Sequence, residues 1–317
     1  MKSLIILLLI FNWSITEAII FRHDRDSTEY VNLAQEEQFN CVGRIFKIIK
    51  DTDTLDKWEE RPQKADTLKP GCSCELISDK YILSAAHCFT KNLKKDTTYV
   101  MDDGTKIETY LVTGEYQLPS NKFRFDFNGK LLEADTIILH PGYFNLDVAE
   151  QWKNYDVAII KLKEPVSNIK IPKLYNNADE IGNKAIGVGW GHYGSVYNKD
   201  LNSGKKHAGE NMIDTLWNYR DSIPGALVCD FDSPTDTNCN KYGAPNPLDL
   251  EFYISGGDSG GGLFIIKDNQ WYLAGVSPSG GINLEQFQKT RYYCHSFYWV
   301  RISTILDWIN QSIKNTK

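Results

Sequence analysis

Gly256-Gly257-Asp258-Ser259-Gly260-Gly261-Gly262 runs directly into Leu263-Phe264-Ile265-Ile266. A glycine-dense turn feeding a short apolar run reads as a tight loop that opens a buried strand. It is not a phosphate cradle, because such a loop places Lys and then Ser or Thr after its last glycine, and here Leu263-Phe264 follow. Its one side chain with nucleophilic potential is Ser259. A serine hydroxyl is a poor nucleophile until an imidazole accepts its proton. The imidazole in turn needs a carboxylate to fix its tautomer and stabilise the cation that forms. Both groups lie upstream. In Ser84-Ala85-Ala86-His87-Cys88 an apolar strand ends in small residues and then a histidine, and in Asn154-Tyr155-Asp156-Val157-Ala158-Ile159-Ile160 an aspartate directly precedes a buried-looking strand. Singly, these are a structural histidine, a turn aspartate and a flexible loop. Together, in the order His, Asp, Ser, they form one known solution to activating a serine.

The surrounding chain alternates short apolar runs with turn residues. Tyr81-Ile82-Leu83, Thr136-Ile137-Ile138-Leu139, Val157–Ile160, Leu263–Ile266 and Tyr272-Leu273-Ala274-Gly275-Val276 are examples. Many short strands separated by Gly, Pro and Asn argue an all-β sandwich or barrel. Loops are expected at Asn198–Glu210 and at Ser233–Pro247, which holds three of the eleven prolines. Only the end is helical by pattern: Ile302, Ile305, Leu306, Ile309 and Ile313 share one helix face, with Ser303 as a candidate N-cap.

Among 317 residues, 35 Lys+Arg face 41 Asp+Glu for a net charge of −6, which argues against a nucleic-acid partner. With 42% apolar and 24% charged residues the composition is globular. Residues 1–18 carry Lys2, an apolar stretch from Leu4 to Phe11 and a small-residue exit at Ala18, the order of a secretory leader cut after Ala18. Eight apolar residues fall well short of the ~20 that span a bilayer, so no membrane anchor is expected. Residues 19–44, with Arg22-His23-Asp24-Arg25-Asp26, read as an extension outside the core. The seven cysteines (Cys41, Cys72, Cys74, Cys88, Cys229, Cys239 and Cys294) then read as a disulfide set with one left over. Cys72, Cys74, His87 and Cys88 lack the paired spacing of a structural zinc site, and no metal is expected.

These three motifs make the chain resemble the trypsin/chymotrypsin family of serine endopeptidases. Ser84–Cys88 is similar to the family's histidine motif, Asp156 with its apolar run to the aspartate motif, and Gly257–Gly261 to the serine motif. Cys72-Ser73-Cys74-Glu75-Leu76-Ile77-Ser78, His140-Pro141-Gly142-Tyr143, Gly189-Trp190-Gly191 and Leu306-Asp307-Trp308-Ile309 add lesser matches in order, from about residue 45 to 315. The resemblance implies two antiparallel six-stranded barrels, at about 45–170 and 171–301, and a terminal helix at about 302–314. It implies a triad of His87, Asp156 and Ser259, with the backbone N–H groups of Gly257 and Ser259 as an oxyanion hole. Cys72 would pair with Cys88, and Ser277 would hydrogen-bond Asp156. Cys239 would pair with Cys294 or with Cys229. No cofactor is implied, since water hydrolyses the acyl-enzyme. The partner is a protein or peptide substrate, with a secreted protease inhibitor as a candidate second one.

The departures from the family cluster away from the triad. Asp96–Lys130 and the stretch between Cys239 and Ser259 are longer than usual, Ser255 stands where a cysteine is normal, and Pro278-Ser279 follows Ser277 in place of Trp-Gly. Such changes resemble a divergent invertebrate branch, with the nematode one as the candidate. Counting six residues back from Ser259 puts Tyr253, not an acid, at the base of the substrate pocket, with Pro278, Ser279 and Phe297 on its wall. Small or apolar side chains are therefore expected ahead of the scissile bond. Arg44-Ile45 lies where the family makes its activating cut, with Asp258 as the waiting partner of the new amine, although Arg44–Ile49 reads equally as an ordinary first strand. Two functions follow: a secreted serine endopeptidase, or a catalytically silent homologue acting as a secreted binding or regulatory protein.

Overall fold

A computed structural model describes residues 19–50, 67–100, 104–144, 154–197, 199–200, 204–217, 225–244, 246–278 and 291–316. The leader read in residues 1–18 and the pocket residue Ser279 lie outside them.

Two curled, mostly antiparallel sheets and a C-terminal helix make up the expected all-β architecture. The first sheet orders its seven strands as Lys130–Leu132, Phe123–Phe127, Val42–Ile49, Thr67–Leu76, Tyr81–Ser84, Ala158–Leu162 and Ala134–Leu139. Alternation decides which face is buried. Phe123, Phe125 and Phe127 point into the core while Arg124 and Asp126 between them stay partly exposed. Phe89 packs between the first two rings, with centroids at 5.0 and 6.3 Å. The interior strand Ala158–Leu162 is apolar almost throughout because its side chains are buried on both faces.

The second sheet has eight strands. Its main path runs His207–Met212, Lys184–Gly189, Gly262–Lys267, Gln270–Val276, Ser296–Arg301, Ala226–Asp230 and Thr215–Trp217, and Lys173–Leu174 joins it through Gln270–Val276. Its core is aromatic: Tyr253, Phe252, Phe297 and Trp299 are each at most 1% exposed. His207–Met212 corrects the expectation of a loop through Glu210, because it pairs residue for residue with Lys184–Gly189.

Residues 19–44 belong to the core rather than outside it. Ile19, Ile20 and Tyr30 sit in the second sheet's hydrophobic cluster, and the strand Ile19–Phe21 lies between Tyr193–Ser195 and Phe252–Tyr253. The charged run that suggested an extension is satisfied locally. Arg22 holds Asp24 through two bonds, at 3.0 and 2.6 Å, and donates to the Leu248 carbonyl. Arg25 pairs with Asp249. Asp26 caps the helix Ser27–Ala34 in a capping box with Glu29.

The terminal helix Ile302–Asn315 buries Ile302, Ile305 and Ile309 as the periodicity requires, while Leu306 and Ile313 are only partly buried. Ser303 is not its N-cap; Arg301 holds that position without a side-chain bond, and Ser303 donates to Glu180 instead, at 2.7 Å. Trp308 packs edge-on against His140, centroids 4.7 Å apart, so the helix touches the end of a first-sheet strand. The stretch Thr90–Leu118 is a compact unit by itself, an antiparallel hairpin of Thr90–Val100 with Lys106–Gln117. Within it, Lys94 lies over the Tyr110 ring at 4.4 Å.

Candidate active site

His87 and Asp156 meet because two neighbouring strands end side by side. Ala158 stands opposite Ser84, and continuing that antiparallel register by two residues sets Asp156 opposite Ala86. His87 follows in a single 3-10 turn, Ala86–Phe89, anchored by the buried Phe89 ring. Its Nδ1 lies 2.6 Å from Asp156 Oδ2, and its backbone N–H donates to Oδ1 at 2.8 Å. The carboxylate is fully buried while the imidazole keeps 29% of its side-chain surface exposed. The Nδ1 edge of the ring is therefore fixed against a carboxylate, and Nε2 lies 3.9 Å from Cys88 Sγ. Cys72 and Cys88 form a disulfide that ties the strand Thr67–Leu76 to the histidine turn.

Ser259 approaches from the second sheet. Its carbonyl accepts the Ser73 N–H at 2.9 Å and lies 3.8 Å from Cys88 Sγ, which places its loop against the disulfide beside His87. The loop is turned by Gly257 and Gly260, at φ +93° and +80°, in the left-handed region that side chains avoid. A Cβ on Gly260 would come within 2.3 Å of the Ser73 carbonyl, so glycine is required there on two counts. The loop is pinned to the next strand by Gly260 N–H to Ser277 O at 2.7 Å and Ser277 N–H to Gly261 O at 2.8 Å. Among the described residues, the N–H groups of Gly257 and Ser259 donate to no other group.

Ser73 is a site residue that the motifs passed over. Its hydroxyl donates to the Gly257 carbonyl at 3.0 Å and accepts the Trp190 N–H at 2.8 Å, while its carbonyl accepts from Ser84 Oγ at 2.8 Å. It joins the serine loop, the Gly189-Trp190-Gly191 segment and the strand that leads to His87. The available signal was a small polar residue between two cysteines.

Several expectations shift. Ser277 is buried, but its hydroxyl donates to the Pro278 carbonyl at 3.1 Å rather than to Asp156. Arg44-Ile45 lies inside the strand Val42–Ile49, bonded on both edges, with Ile45 between Cys72 and Phe125 and only 2% exposed. That bond is continuous strand, because the same apolar residues that resemble an activation site satisfy two neighbouring strands. Cys239 pairs with Cys294, which excludes Cys229 as its partner. Three cysteines remain free instead of one, Cys41, Cys74 and Cys229, all buried as small apolar residues. Burial pushes the Cys41 thiol up to about 12. The sulfurs of Cys72 and Cys88 lie close to His87, but both are committed to the disulfide and offer a metal no thiolate.

Tyr253 is 1% exposed and packs its ring 5.1 Å from Phe297 and 5.9 Å from Tyr292. Pro278 is buried beside Ser277. The nearest upstream acids do not place a free charge there. Asp249 pairs with Arg25, and Glu251 accepts the N–H groups of Asp232 and Leu248 while burial pushes its carboxyl up to about 9.

The trypsin family model matches residues 57–309, most of the chain, and the protein belongs to that family. It is 26% identical to serine protease SSP1 of Scolopendra subspinipes over 77% of this chain and 74% of that one. It is 26% identical to chymotrypsin-C of Rattus norvegicus over 79% and 81% of the two chains. It is 24% identical to phenoloxidase-activating factor 3 of Holotrichia diomphalia over 91% and 79%. Family membership makes proteins or peptides the substrate class. No helix among the described residues is long and apolar enough to cross a membrane.

Proposed function

We propose that the protein is an active, secreted serine endopeptidase working through His87, Asp156 and Ser259. The observation that carries this reading is the 2.6 Å contact between His87 Nδ1 and a fully buried Asp156. Ser259 Oγ attacks the scissile carbonyl as His87 Nε2 takes its proton, and Asp156 stabilises the imidazolium. The tetrahedral oxyanion is received by the N–H groups of Gly257 and Ser259. His87 returns its proton to the departing amine. Water then attacks the acyl-enzyme with His87 as base, releasing the acid and restoring Ser259.

Tyr253, an uncharged residue six before Ser259, supports a preference for small or apolar residues ahead of the scissile bond, since an unpaired buried cation costs several kcal/mol. A peptide library varied at that position checks it, and dominant cleavage after Arg or Lys would refute it. A secreted protease inhibitor is a candidate partner of the same site. The rival reading, a silent homologue that binds without cleaving, is favoured by the altered pocket and by Ser277 failing to reach Asp156. A fluorophosphonate probe separates the two. Covalent labelling that disappears in Ser259→Ala supports the peptidase, and a folded protein that is never labelled supports the rival.

A further inference from the structure

The long stretch between Cys239 and Ser259 walls one side of a cavity of about 240 Å³ beside the second sheet. Ile181, Gly243, Ala244 and Asn246 are exposed and form its rim. Asp230, Asp232 and Glu251, each at most 6% exposed, form its floor, and the half-buried Asp214 joins them. Tyr253, Ser277, Pro278 and Phe297 are not among its lining, so it is separate from the residues expected to hold the substrate.

Among the described residues, none of these four carboxyl groups enters an ion pair. Two of them are satisfied by backbone. Asp230 Oδ2 accepts the Lys241 and Tyr242 N–H groups at 2.8 and 3.1 Å, and Glu251 accepts those of Asp232 and Leu248. Lys241 also lowers Asp230 by its charge, but burial outweighs it and leaves that carboxyl raised. Asp232 has no such support: its Oδ1 is fully buried, and neither of its oxygens accepts a hydrogen bond from a described residue. Asp214 Oδ2 is likewise buried without a partner. Burial, with the charge of Asp230, pushes Asp214 and Asp232 each up to about 7.

The spread of these oxygens decides what could satisfy them. The ligands of one calcium ion lie within about 5 Å of one another. Among the described residues, no three of these carboxylates bring oxygens within 4.8 Å of one another, so a bare ion does not fit. The walls are apolar at Ile181, Met212, Ile213 and Leu248. Dispersed acids under apolar walls match a methylene chain that ends in a planar cation. A guanidinium spreads its N–H donors over a rigid fork that reaches separated carboxylates, and its stem packs on the wall. We propose that this cavity is a second binding site, for an alkylguanidinium group held by Asp214 and Asp232. The group comes from a free small cation or from an arginyl side chain of another polypeptide. Once bound, it clamps the long stretch after Cys239 to the ends of two second-sheet strands, His207–Met212 and Ala226–Asp230.

The full chain carrying Ser259→Ala, so that no peptide is cleaved, is titrated calorimetrically at pH 8 with agmatine and with the capped peptide acetyl-Gly-Arg-Gly amide. At least one should bind with a Kd below about 1 mM. Adding Asp232→Asn should weaken that binding about tenfold or more, since a charge-assisted bond is lost. Asp214→Asn serves the same purpose where the first variant does not fold. Tighter binding of the peptide supports the site with an arginyl side chain as its occupant, and tighter binding of agmatine supports it with a free small cation. Absence of binding by both overturns the proposal. Binding that neither substitution weakens also overturns it, by placing the cation elsewhere. Calcium that raises the melting temperature of the parent but not of Asp232→Asn, while agmatine and the peptide do not bind, overturns it in favour of a metal site.

Discussion

On the first-sheet side of the site, His87 is held by a buried carboxylate and a disulfide; on the second-sheet side, Ser259 is held by glycine turns and backbone bonds. In the proposed mechanism His87 changes charge during turnover, and a buried carboxylate lies 2.6 Å from its Nδ1. The proposed nucleophile instead sits in a loop that turns through positive φ at Gly257 and Gly260. Two further buried carboxylates, one in each half, differ in how they are satisfied. Glu180, behind the second sheet, is fully paired, accepting from Arg301 at 2.9 and 2.6 Å and from Ser303 at 2.7 Å. Glu75, in the first sheet, is 0% exposed and neither of its oxygens has a partner.

The largest expected effect tests the charged side. Asp156→Asn keeps the shape but favours the wrong imidazole tautomer, and should lower kcat by about 10⁴ with little change in melting temperature. Turnover within tenfold of wild type on any cleaved peptide would break the comparison at its centre.

Next comes Glu180→Gln, which leaves the Arg301 guanidinium buried and unpaired. It should cost about 3–5 kcal/mol in denaturant unfolding. Burial alone would raise the Glu180 carboxyl, but the bonds from Arg301 and Ser303 outweigh it and hold the group below its ordinary 4.5. A depressed folded value means the stabilisation is complete above 4.5 and is lost as pH falls through the folded value. The gap between variant and wild type should therefore close in acid, and a gap independent of pH would assign the cost to packing.

Replacing Cys72 and Cys88 together with Ala removes a bridge across 16 residues and should cost about 3 kcal/mol. Because the bridge also positions the turn that carries His87, kcat should fall alongside stability. A stability loss with unchanged kcat would make the disulfide a fold staple only.

The smallest effect has the opposite sign. Glu75→Met should stabilise the protein by about 1–3 kcal/mol at neutral pH by removing an unsatisfied buried group. Burial raises the Glu75 carboxyl well above 4.5, so it binds its proton more tightly when folded. Its cost grows as pH rises above 4.5 and fades below it, and the gain from Met should shrink in the same direction. A loss of stability at neutral pH would show that Glu75 has a partner.

How much was legible depends on how local each signal is. The histidine, aspartate and serine motifs each carry their own strand end or glycine turn within about seven residues, so sequence alone located the family and a candidate site. The terminal helix was legible for the same reason, since one face repeats every three or four residues. Ile19-Ile20 was obscured because two apolar residues make no periodic pattern and the charged residues after them suggest solvent. Ser73, Ser277 and Glu180 were not legible as they act, because a hydroxyl or carboxylate can bond in many directions and sequence does not say which neighbour arrives.

Arg44–Ile49 marks the boundary. As a sequence it fits an activation site and a first strand equally, because a basic residue before β-branched ones satisfies both. The choice was made by Thr67–Leu76 and Phe123–Phe127, which arrive from 20 to 80 residues away and bond both its edges. Sequence determined which side chains could do the chemistry, since that follows from their functional groups and order. Only the tertiary structure decided which charges are paired and which glycines must turn, because those depend on strand register and burial that no short stretch encodes.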